Sequence, residues 1–467
     1  MRVVVVGDVL LDVDLVGSAD RLSPDAPVPV VDVGSAVRRP GGAGLVALML
    51  AADGHEVRLV AAVSDDDRSA ELREALGLVE VVGGRSSAPT PVKTRVRAGG
   101  QSVVRVDEGC APAPAPEVTD AMLDAVREAD ALVVADYGRG LLADPSLRRA
   151  LGERRAGVPL VWDPHPRGEV PVAGATVVTP NLSEALAAVT TSGRGTAAAA
   201  AAAAELCGRW SAEAVLVTLG ERGALLHHGS TPLVVPAPGT VAHDPCGAGD
   251  RLAATLATEL AGGAALPDAV DAAVRSASGF LAAGGVGALV AAAGAGVDAP
   301  ADGSSSAGAV HRWGGAAADA LEVVRRTRAA GGTVVATGGC FDLLHAGHAR
   351  TLAAARRLGD CLVVCLNSDG SVRRLKGPER PIIAQDDRVD LLQALGCVDA
   401  VLVFDEDSPD DALRQLQPDI WVKGGDYAVD QLPEARLVAS WGGCTVTVPY
   451  HPGRSTTRLA GALARVS

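Results

Sequence analysis

Two histidines three residues apart, His345 and His348, sit in the string Gly339-Cys340-Phe341-Asp342-Leu343-Leu344-His345-Ala346-Gly347-His348. The string follows an apolar run, Thr333 to Thr337, that reads as a buried strand. It leads into Ala349 to Leu358, where alanine and leucine recur at helical spacing. Imidazoles at a helix start, beside a glycine that lets backbone approach a ligand, join free N–H groups and the positive end of the helix dipole. That combination suits a phosphate chain. A second constellation, Asp244-Pro245-Cys246-Gly247-Ala248-Gly249-Asp250, precedes a helix predicted from Arg251 to Ala261. The backbone amides of Gly247, Ala248 and Gly249 can converge on one anion. The Asp250 carboxylate beside them can take a proton from a hydroxyl while those amides stabilise a phosphoryl group in transfer.

These groups need strand ends and helix starts to hold them. Strand-like runs at Val3 to Val6, Val57 to Val63, Ala131 to Ala135, Leu160 to Trp162, Ala175 to Val178 and Ala214 to Thr218 alternate with helical stretches. The alternation predicts a parallel or mixed sheet covered by helices. Two β-type stretches without helices between them, Val28 to Val33 and Lys93 to Val106, predict a small sheet laid over the site as a lid. The nearly all-alanine tract Thr196 to Leu206 reads as a helix, since alanine is the best helix former. Between Ala291 and Gly315 the chain collects Ala, Gly, Ser, Asp and Pro without periodicity, which predicts a flexible linker over 299–315 between domains 1–298 and 316–467. Beyond it, a helix from Ala316 to Ala330 feeds further strands at Cys361 to Leu366, Ala400 to Phe404, Ile420 to Lys423 and Cys444 to Val448, with helices from Asp386 to Leu395 and Asp410 to Leu416. This is the pattern of a Rossmann-like doubly wound sheet, which binds ligands at the carboxyl ends of its strands.

The string G-x-F-D-x-x-H-x-G-H resembles the cytidylyltransferase-like nucleotidyltransferases. The resemblance implies that His345 and His348 hold a nucleotide triphosphate and stabilise the state in which another phosphate attacks the α-phosphorus. It implies that Gly339, Phe341 and Asp342 bind the nucleotide, that Lys376 is a further cation near the phosphates, and that Arg454, Ser455 and Thr456, with Thr457, cap them at a helix start. Lys423 is either another such cation or a surface lysine.

The G-A-G-D loop resembles the ribokinase-like PfkB sugar kinases, which implies an α/β domain with a small β lid. By the same resemblance Asp250 is the base and Gly247, Ala248 and Gly249 the anion hole. Gly41 and Gly42, with Asp8 and Asp12, face the sugar. Asn181, Leu182, Ser183 and Glu184 form the N-x-x-E motif tied to Mg-ATP, and Thr218, Gly220 and Gly223 the nucleotide-side turn. Two positions depart from the family pattern: Leu45 stands where a sugar-facing asparagine is usual, and Pro245-Cys246 replaces a pair ending in threonine.

Further strings narrow the resemblance to bifunctional heptose 7-phosphate kinase/heptose 1-phosphate adenylyltransferases. They are Gly7 to Asp12, Arg21 to Val30, Asp136 to Gly140, Asn367 to Asp369, Arg374 to Gly377, Arg380-Pro381 and Val422 to Tyr427. The family implies ATP-dependent phosphorylation at C1, removal of the 7-phosphate by a separate phosphatase, and adenylyl transfer to give ADP-heptose and pyrophosphate. Mg2+ would enter with ATP. Alternatives are the same chemistries on another sugar or polyol phosphate, or with CTP, or a kinase-fold scaffold without catalysis. A homodimer is left open.

The bulk numbers agree with small-molecule substrates. A length of 467 residues asks for two domains, and 48% apolar with 21% charged content is globular. A net charge of -14 argues against nucleic acid or an anionic membrane as partner. The eight cysteines are scattered without a C-x-x-C pair, so neither zinc nor disulfides are expected. The valine run at the start carries no signal-peptide pattern, and no apolar stretch predicts a membrane span, so a cytoplasmic location is expected.

Overall fold

The computed structural model describes residues 1–77, 79–99, 101–111, 114–191, 195–229, 231–239, 244–293, 319–424 and 433–449. The chain groups into two compact units: Met1–Ala188 with Leu206–Thr218 and Pro238–Val297, and Val189–Glu205 with Leu219–Ala237 and Asp298–Ser467. The predicted linker 299–315 lies outside the described residues.

In the first unit, β1 (Arg2–Gly7), β4 (Glu56–Val63), β5 (Glu80–Arg85), β8 (Ala131–Ala135), β9 (Leu160–Asp163), β10 (Val177–Val178) and β11 (Val215–Thr218) form an all-parallel sheet in the order β5-β4-β1-β8-β9-β10-β11. Val3 to Val6 and Ala131 to Val134 are wholly inaccessible. Such strands read as continuous apolar runs because helices cover both faces. The direction in which strands are added reverses between β1 and β8, and a crevice opens at the carboxyl ends where this happens. Asp8 follows β1 and Asp136 follows β8 at that point.

A second sheet of β2 (Val9–Leu22), β3 (Pro29–Gly42), β6 (Val92–Ala98) and β7 (Gln101–Glu108) runs in the order β3-β2-β6-β7, parallel only between β2 and β6. It corresponds to the predicted lid, but β2 is fourteen residues long and continues directly from the Gly7 to Asp12 string, which the sequence did not reveal as strand. The alanine tract is helical, from Gly195 to Trp210.

In the second unit, β12 (Ala224–His227) and β13 (Leu233–Val235) form an antiparallel hairpin. The strands β14 (Val334–Gly339), β15 (Cys361–Asn367), β16 (Ala400–Phe404), β17 (Ile420–Gly424) and β18 (Cys444–Val448) pair in parallel in the order β16-β15-β14-β17-β18. This is the predicted doubly wound arrangement, its crevice between β14 and β17. Val334, Ala336, Val363, Cys365, Trp421 and Leu413 fill one core, closed by the helices Ala320–Ala329, Asp410–Leu416 and Glu434–Ala439. Among the described residues no helix is long and apolar enough to cross a membrane.

Candidate active sites

The helix Ala248–Ala261 begins at Gly247, whose φ of 82° is left-handed. A Cβ there would also press to 2.9 Å from Val286, so glycine is required on two counts. The Asp244 carboxylate accepts the Cys246 amide at 3.0 Å and fixes the loop's entry. Ala248, one of the three expected anion-hole donors, gives its N–H to the Pro245 carbonyl at 3.2 Å instead. Among the described residues no backbone acceptor is found for the amides of Gly247, Gly249 and Asp250 at the helix head. Asp250, in this first turn, has its carboxyl lifted to about 7, chiefly by burial and then by the negative charge of Asp12, with Arg39 and Lys93 pulling the other way. A carboxylate poised near neutrality is matched to proton abstraction at that pH.

Above it lies the inner face of the lid. Asp12 is buried, and its carboxylate is gripped by Arg39 (2.6 Å) and by Arg95. Arg39 also reaches Asp14 at 3.3 Å, and Arg97 pairs with Asp244 at the head of the anion-hole loop. On β6 the alternation Lys93, Arg95, Arg97 puts all three cations on one face, because side chains on a strand repeat every second residue. Asp8 is also engaged: its carboxylate accepts the amides of Tyr137 and Arg139, each at 3.0 Å. Both aspartates expected to face the sugar are therefore tied to protein partners. Gly41 and Gly42 are glycines for a reason of space, since a Cβ on Gly41 would meet Asp12 at 2.6 Å and one on Gly42 the Asp8 carbonyl at 2.5 Å.

Asp163 ends β9 and escaped the sequence reading, in which it was only the residue after a strand. Its carboxyl is pushed well up, first by burial and then by the charges of Asp250 and Glu184, against a hydrogen bond from Thr179 at 3.0 Å. Carboxylates that disfavour one another's charge mark a place where a cation would be welcome. Asn181 and Glu184 cap the helix Leu182–Ala188 reciprocally: the Asn181 amide donates to Glu184 at 2.9 Å and the Glu184 amide to the Asn181 side chain at 3.0 Å, with Ser183 donating there too. Thr218 pairs across to Asn181 in an isolated parallel bridge. Gly220 and Gly223 take left-handed φ of 64° and 95° in the turn before β12.

Loop geometry on the other side of the crevice is set by Asp136. One carboxylate oxygen accepts the Gly138 amide at 2.8 Å and the other the Glu169 amide at 2.6 Å, which draws 165–169 against 136–138. Gly138, at φ 74°, leaves room for the Arg167 carbonyl, which a Cβ would approach to 2.3 Å. Burial raises the Asp136 carboxyl and these amides oppose it.

Leu45 does not face the crevice. It is 2% exposed and packs with Met49 and Val286 in an apolar cluster against which Cys246 and Phe280 lie. The two departures from the family pattern, Leu45 and Cys246, thus meet in one apolar cluster beneath the anion-hole loop.

In the second unit the string after β14 turns through Phe341, whose φ of 45° is rare for a bulky residue. His345 caps the helix Ala346–Arg356, its Nδ1 accepting the Gly347 amide at 3.1 Å, so its proton resides on Nε2. His348 stacks on it with ring centroids 4.0 Å apart, and Phe341 tilts against His348 at 5.3 Å. Burial, then the neighbouring His345, drops the His348 pKa to about 4, with the charge of Lys376 adding a smaller push. Lys376 itself is exposed at the end of the helix Asp369–Lys376. Asp342 is buried and holds the following loop: its carboxylate accepts the amides of Ile382 (2.6 Å) and Ile383 (3.2 Å) and pairs with Arg380 at 2.7 Å.

Arg388, unnoticed in the sequence, is wholly buried and donates to the carbonyls of Ile383, Cys340 and Asn367 and to the Asp369 carboxylate, at 2.6–3.0 Å. It ties the ends of β14 and β15 to the start of the helix Asp369–Lys376 and to the Ile383 loop. Lys423 pairs with Glu434 at 3.0 Å and lies over the Trp421 ring, a structural role. Arg454, Ser455, Thr456 and Thr457 lie outside the described residues.

Residues 1–292 match the pfkB family carbohydrate kinases, and residues 336–456 match the cytidylyltransferase-like family. Bifunctional protein HldE of Streptomyces coelicolor is 51% identical over 99% of this chain and 96% of its own. The protein of the same name from Gluconobacter oxydans is 39% identical over 98% and 96%. Among solved structures, Arabidopsis thaliana ribokinase complexed with ribose and ATP is 21% identical, covering 60% of this chain and 92% of its own at a TM-score of 0.49. The two halves define an enzyme that is a carbohydrate kinase and a nucleotidyltransferase in one chain, a ribokinase-like domain followed by a Rossmann-like one. It belongs to the HldE family of bifunctional proteins.

Proposed function

We propose that the first domain, 1–298, transfers the γ-phosphoryl group of Mg-ATP to the C1 hydroxyl of D-glycero-β-D-manno-heptose 7-phosphate, and that the second, 316–467, adenylylates heptose 1-phosphate to ADP-heptose with release of pyrophosphate. The observation that carries the first step is Asp250, its carboxyl lifted to about 7 in the first turn of a helix where the amides of Gly247, Gly249 and Asp250 have no described backbone acceptor. The carboxylate takes the C1 hydroxyl proton, and the amides of Gly247, Gly249 and Asp250 meet the phosphoryl group in transfer. Among the described residues no group of three or more His, Cys, Asp or Glu side chains can hold a metal by itself. Asp163 and Glu184, whose charges disfavour one another, are the residues that would hold Mg2+ brought in with ATP, and the ion would neutralise charge on the phosphates. Thr218, Gly220 and Gly223 line the nucleotide side.

In the second step the attacking group is already a phosphate anion, so no base is required. His345 Nε2 and His348 donate to the triphosphate at the helix head, and Lys376 adds charge at the rim. Between the two steps a separate phosphatase removes the 7-phosphate. Both steps draw on ATP, which suits a cytoplasmic enzyme. On the lid face turned away from Asp12 and Lys93, Val33, Val104 and Val106 are exposed, an apolar surface that favours a homodimer.

The test is to incubate the full chain with heptose 7-phosphate, ATP and Mg2+, with and without a phosphatase, and to identify products by mass. Heptose bisphosphate without the phosphatase and ADP-heptose with it are the expected products. A different accepted sugar phosphate, or CTP used in preference to ATP, would replace the heptose or adenylyl assignment.

A further inference from the structure

Trp162, Trp421 and Arg388 are the largest wholly buried side chains among the described residues, and of the three only Arg388 carries a charge. A guanidinium out of reach of water needs fixed partners for its donors. Three of those partners are backbone carbonyls: Nη1 donates to Cys340 at 2.6 Å and to Asn367 at 2.8 Å, and Nε to Ile383 at 3.0 Å. The fourth is the Asp369 carboxylate, 2.7 Å from Nη2. Wholly buried, Arg388 cannot touch a phosphate in the crevice, so any part it has in the reaction runs through the backbone it holds.

The Cys340 carbonyl is where that backbone bears on the histidines. A peptide unit is planar, so gripping this oxygen also sets the orientation of the amide that begins Phe341. Phe341 has a φ of 45°, a left-handed conformation that a bulky residue keeps only where its surroundings hold it. Its ring lies by Gly339, where a Cβ would come to 3.3 Å from it, and tilts against the His348 imidazole with 5.3 Å between centroids. His348 in turn stacks on His345 at 4.0 Å. A continuous chain of contacts therefore runs from Arg388 through the 340–341 peptide and the Phe341 ring to both imidazoles. The Ile383 carbonyl closes the frame, since the amides of Ile382 and Ile383 hold Asp342 on the other side of Phe341.

We propose that Arg388 is a positioning residue for adenylyl transfer: by holding the Cys340 carbonyl it keeps Phe341 left-handed, and the Phe341 ring keeps His348 in place at the helix head. This rests on the reading of the second domain as the adenylyltransferase. What Arg388 supplies is geometry more than charge. Its planar fork serves three separate carbonyls and a carboxylate at once, which the single ammonium of a lysine cannot do.

The experiment compares the full-length wild type with Arg388→Lys, Phe341→Ala, His348→Ala and the double variant Arg388→Lys/His348→Ala in adenylyl transfer from ATP to heptose 1-phosphate, with circular dichroism to establish that each folds. Arg388→Lys is expected to lower kcat about 10- to 100-fold, the scale of a displacement of about 1 Å in a catalytic group, with a smaller change in KM for ATP and none in sugar phosphorylation. Because the effect passes through His348, the double variant should be within about 2-fold of His348→Ala, whereas independent losses would multiply. Nitrogen NMR of the histidine rings gives a readout that a general loss of stability does not move. The His348 signal, identified by its absence from His348→Ala, should titrate at about 4 in the wild type and move up towards 6.5 in Arg388→Lys and Phe341→Ala, since burial is the main cause of the depression and a loosened ring admits water. A wild-type kcat in Arg388→Lys, losses that multiply in the double variant, or an unmoved His348 titration in the folded Arg388→Lys protein overturns the role. Should Arg388→Lys not fold, Phe341→Ala decides: it must show the same fall in kcat and the same rise in the His348 titration, and wild-type behaviour overturns the chain of contacts. If the wild type makes no ADP-heptose, the transferase reading fails, and the His348 titrations alone decide whether Arg388 sets the imidazole.

Discussion

The imidazole rings of His345 and His348 lie stacked with centroids 4.0 Å apart, and the Gly347 amide fixes which nitrogen of His345 carries the proton. Two such rings would repel if both were charged, and His348, at about 4, is neutral in the free protein. Both then offer N–H donors to charge that grows on the phosphates during the reaction. His348→Ala should cut kcat for adenylyl transfer about 10²- to 10³-fold with a smaller change in KM for ATP, leaving phosphoryl transfer to sugar intact. His345→Ala should behave alike, and the double variant should lose less than the product of the two. Steady-state rates of pyrophosphate release check this.

The proposed role of Asp250 predicts a pH profile for the first reaction. Its carboxyl titrates near 7, so kcat/KM for the sugar should fall as pH drops through that value and level off above it. The same shift has a stability consequence of definite sign. The folded protein keeps a proton that the unfolded chain, titrating at 3.8, gives up, so this group lowers stability progressively from pH 3.8 to 7 and by a constant amount above. Asp250→Asn should therefore raise Tm most near pH 8 and least near pH 4, as calorimetry at the two pH values would show.

Leu45→Asn, which would restore the residue usual in the sugar kinases, should not improve sugar binding. Leu45 is packed with Met49 and Val286, and an amide buried there would lack partners. A loss of about 2 kcal/mol or more of stability is expected, from the missing packing and the unsatisfied amide together. Denaturant melts of the variant, with heptose 7-phosphate titrations, check both halves of the statement.

Arg97 joins the lid to Asp244, and Asp244 in turn caps the anion-hole loop through Cys246. Asp244→Ala releases both contacts at once. A shift of about 1 Å in catalytic groups costs up to about 10²-fold, and with the helix head still in place a fall of about 10-fold in sugar phosphorylation is expected, with adenylyl transfer unchanged. Unaltered phosphorylation kinetics would show that the loop is held by the helix alone.

Much of the framework was legible because it depends on local rules. The valine and alanine runs of β1 and β8 announce strands buried on both faces, and the G-A-G-D and H-x-G-H strings declare helix starts by their own residue types. What was not legible depends on register and packing. Nothing local says that Asp12 will be gripped by Arg39 and Arg95, which are 27 and 83 residues away and join it only when β3 and β6 flank β2. The alternation Lys93, Arg95, Arg97 was visible as a period of two, but which face it would occupy was not. Arg388 drew no notice on its charged helix, and only the closeness of β14 and β15 makes it a buried clamp. Leu45 likewise looked like a lost sugar contact because the family motif is linear, whereas its partner Val286 comes from a helix 241 residues further on.

The most direct test of the account as a whole is a crossed product assay on Asp250→Asn and His348→Ala, each given heptose 7-phosphate with ATP and, separately, heptose 1-phosphate with ATP, with products identified by mass. Asp250→Asn should make no bisphosphate above roughly one hundredth of the wild-type rate yet convert heptose 1-phosphate to ADP-heptose normally. His348→Ala should do the reverse. Bisphosphate formed at the wild-type rate by Asp250→Asn, or normal ADP-heptose formation by His348→Ala, would contradict the assignment of two chemistries to these two helix heads.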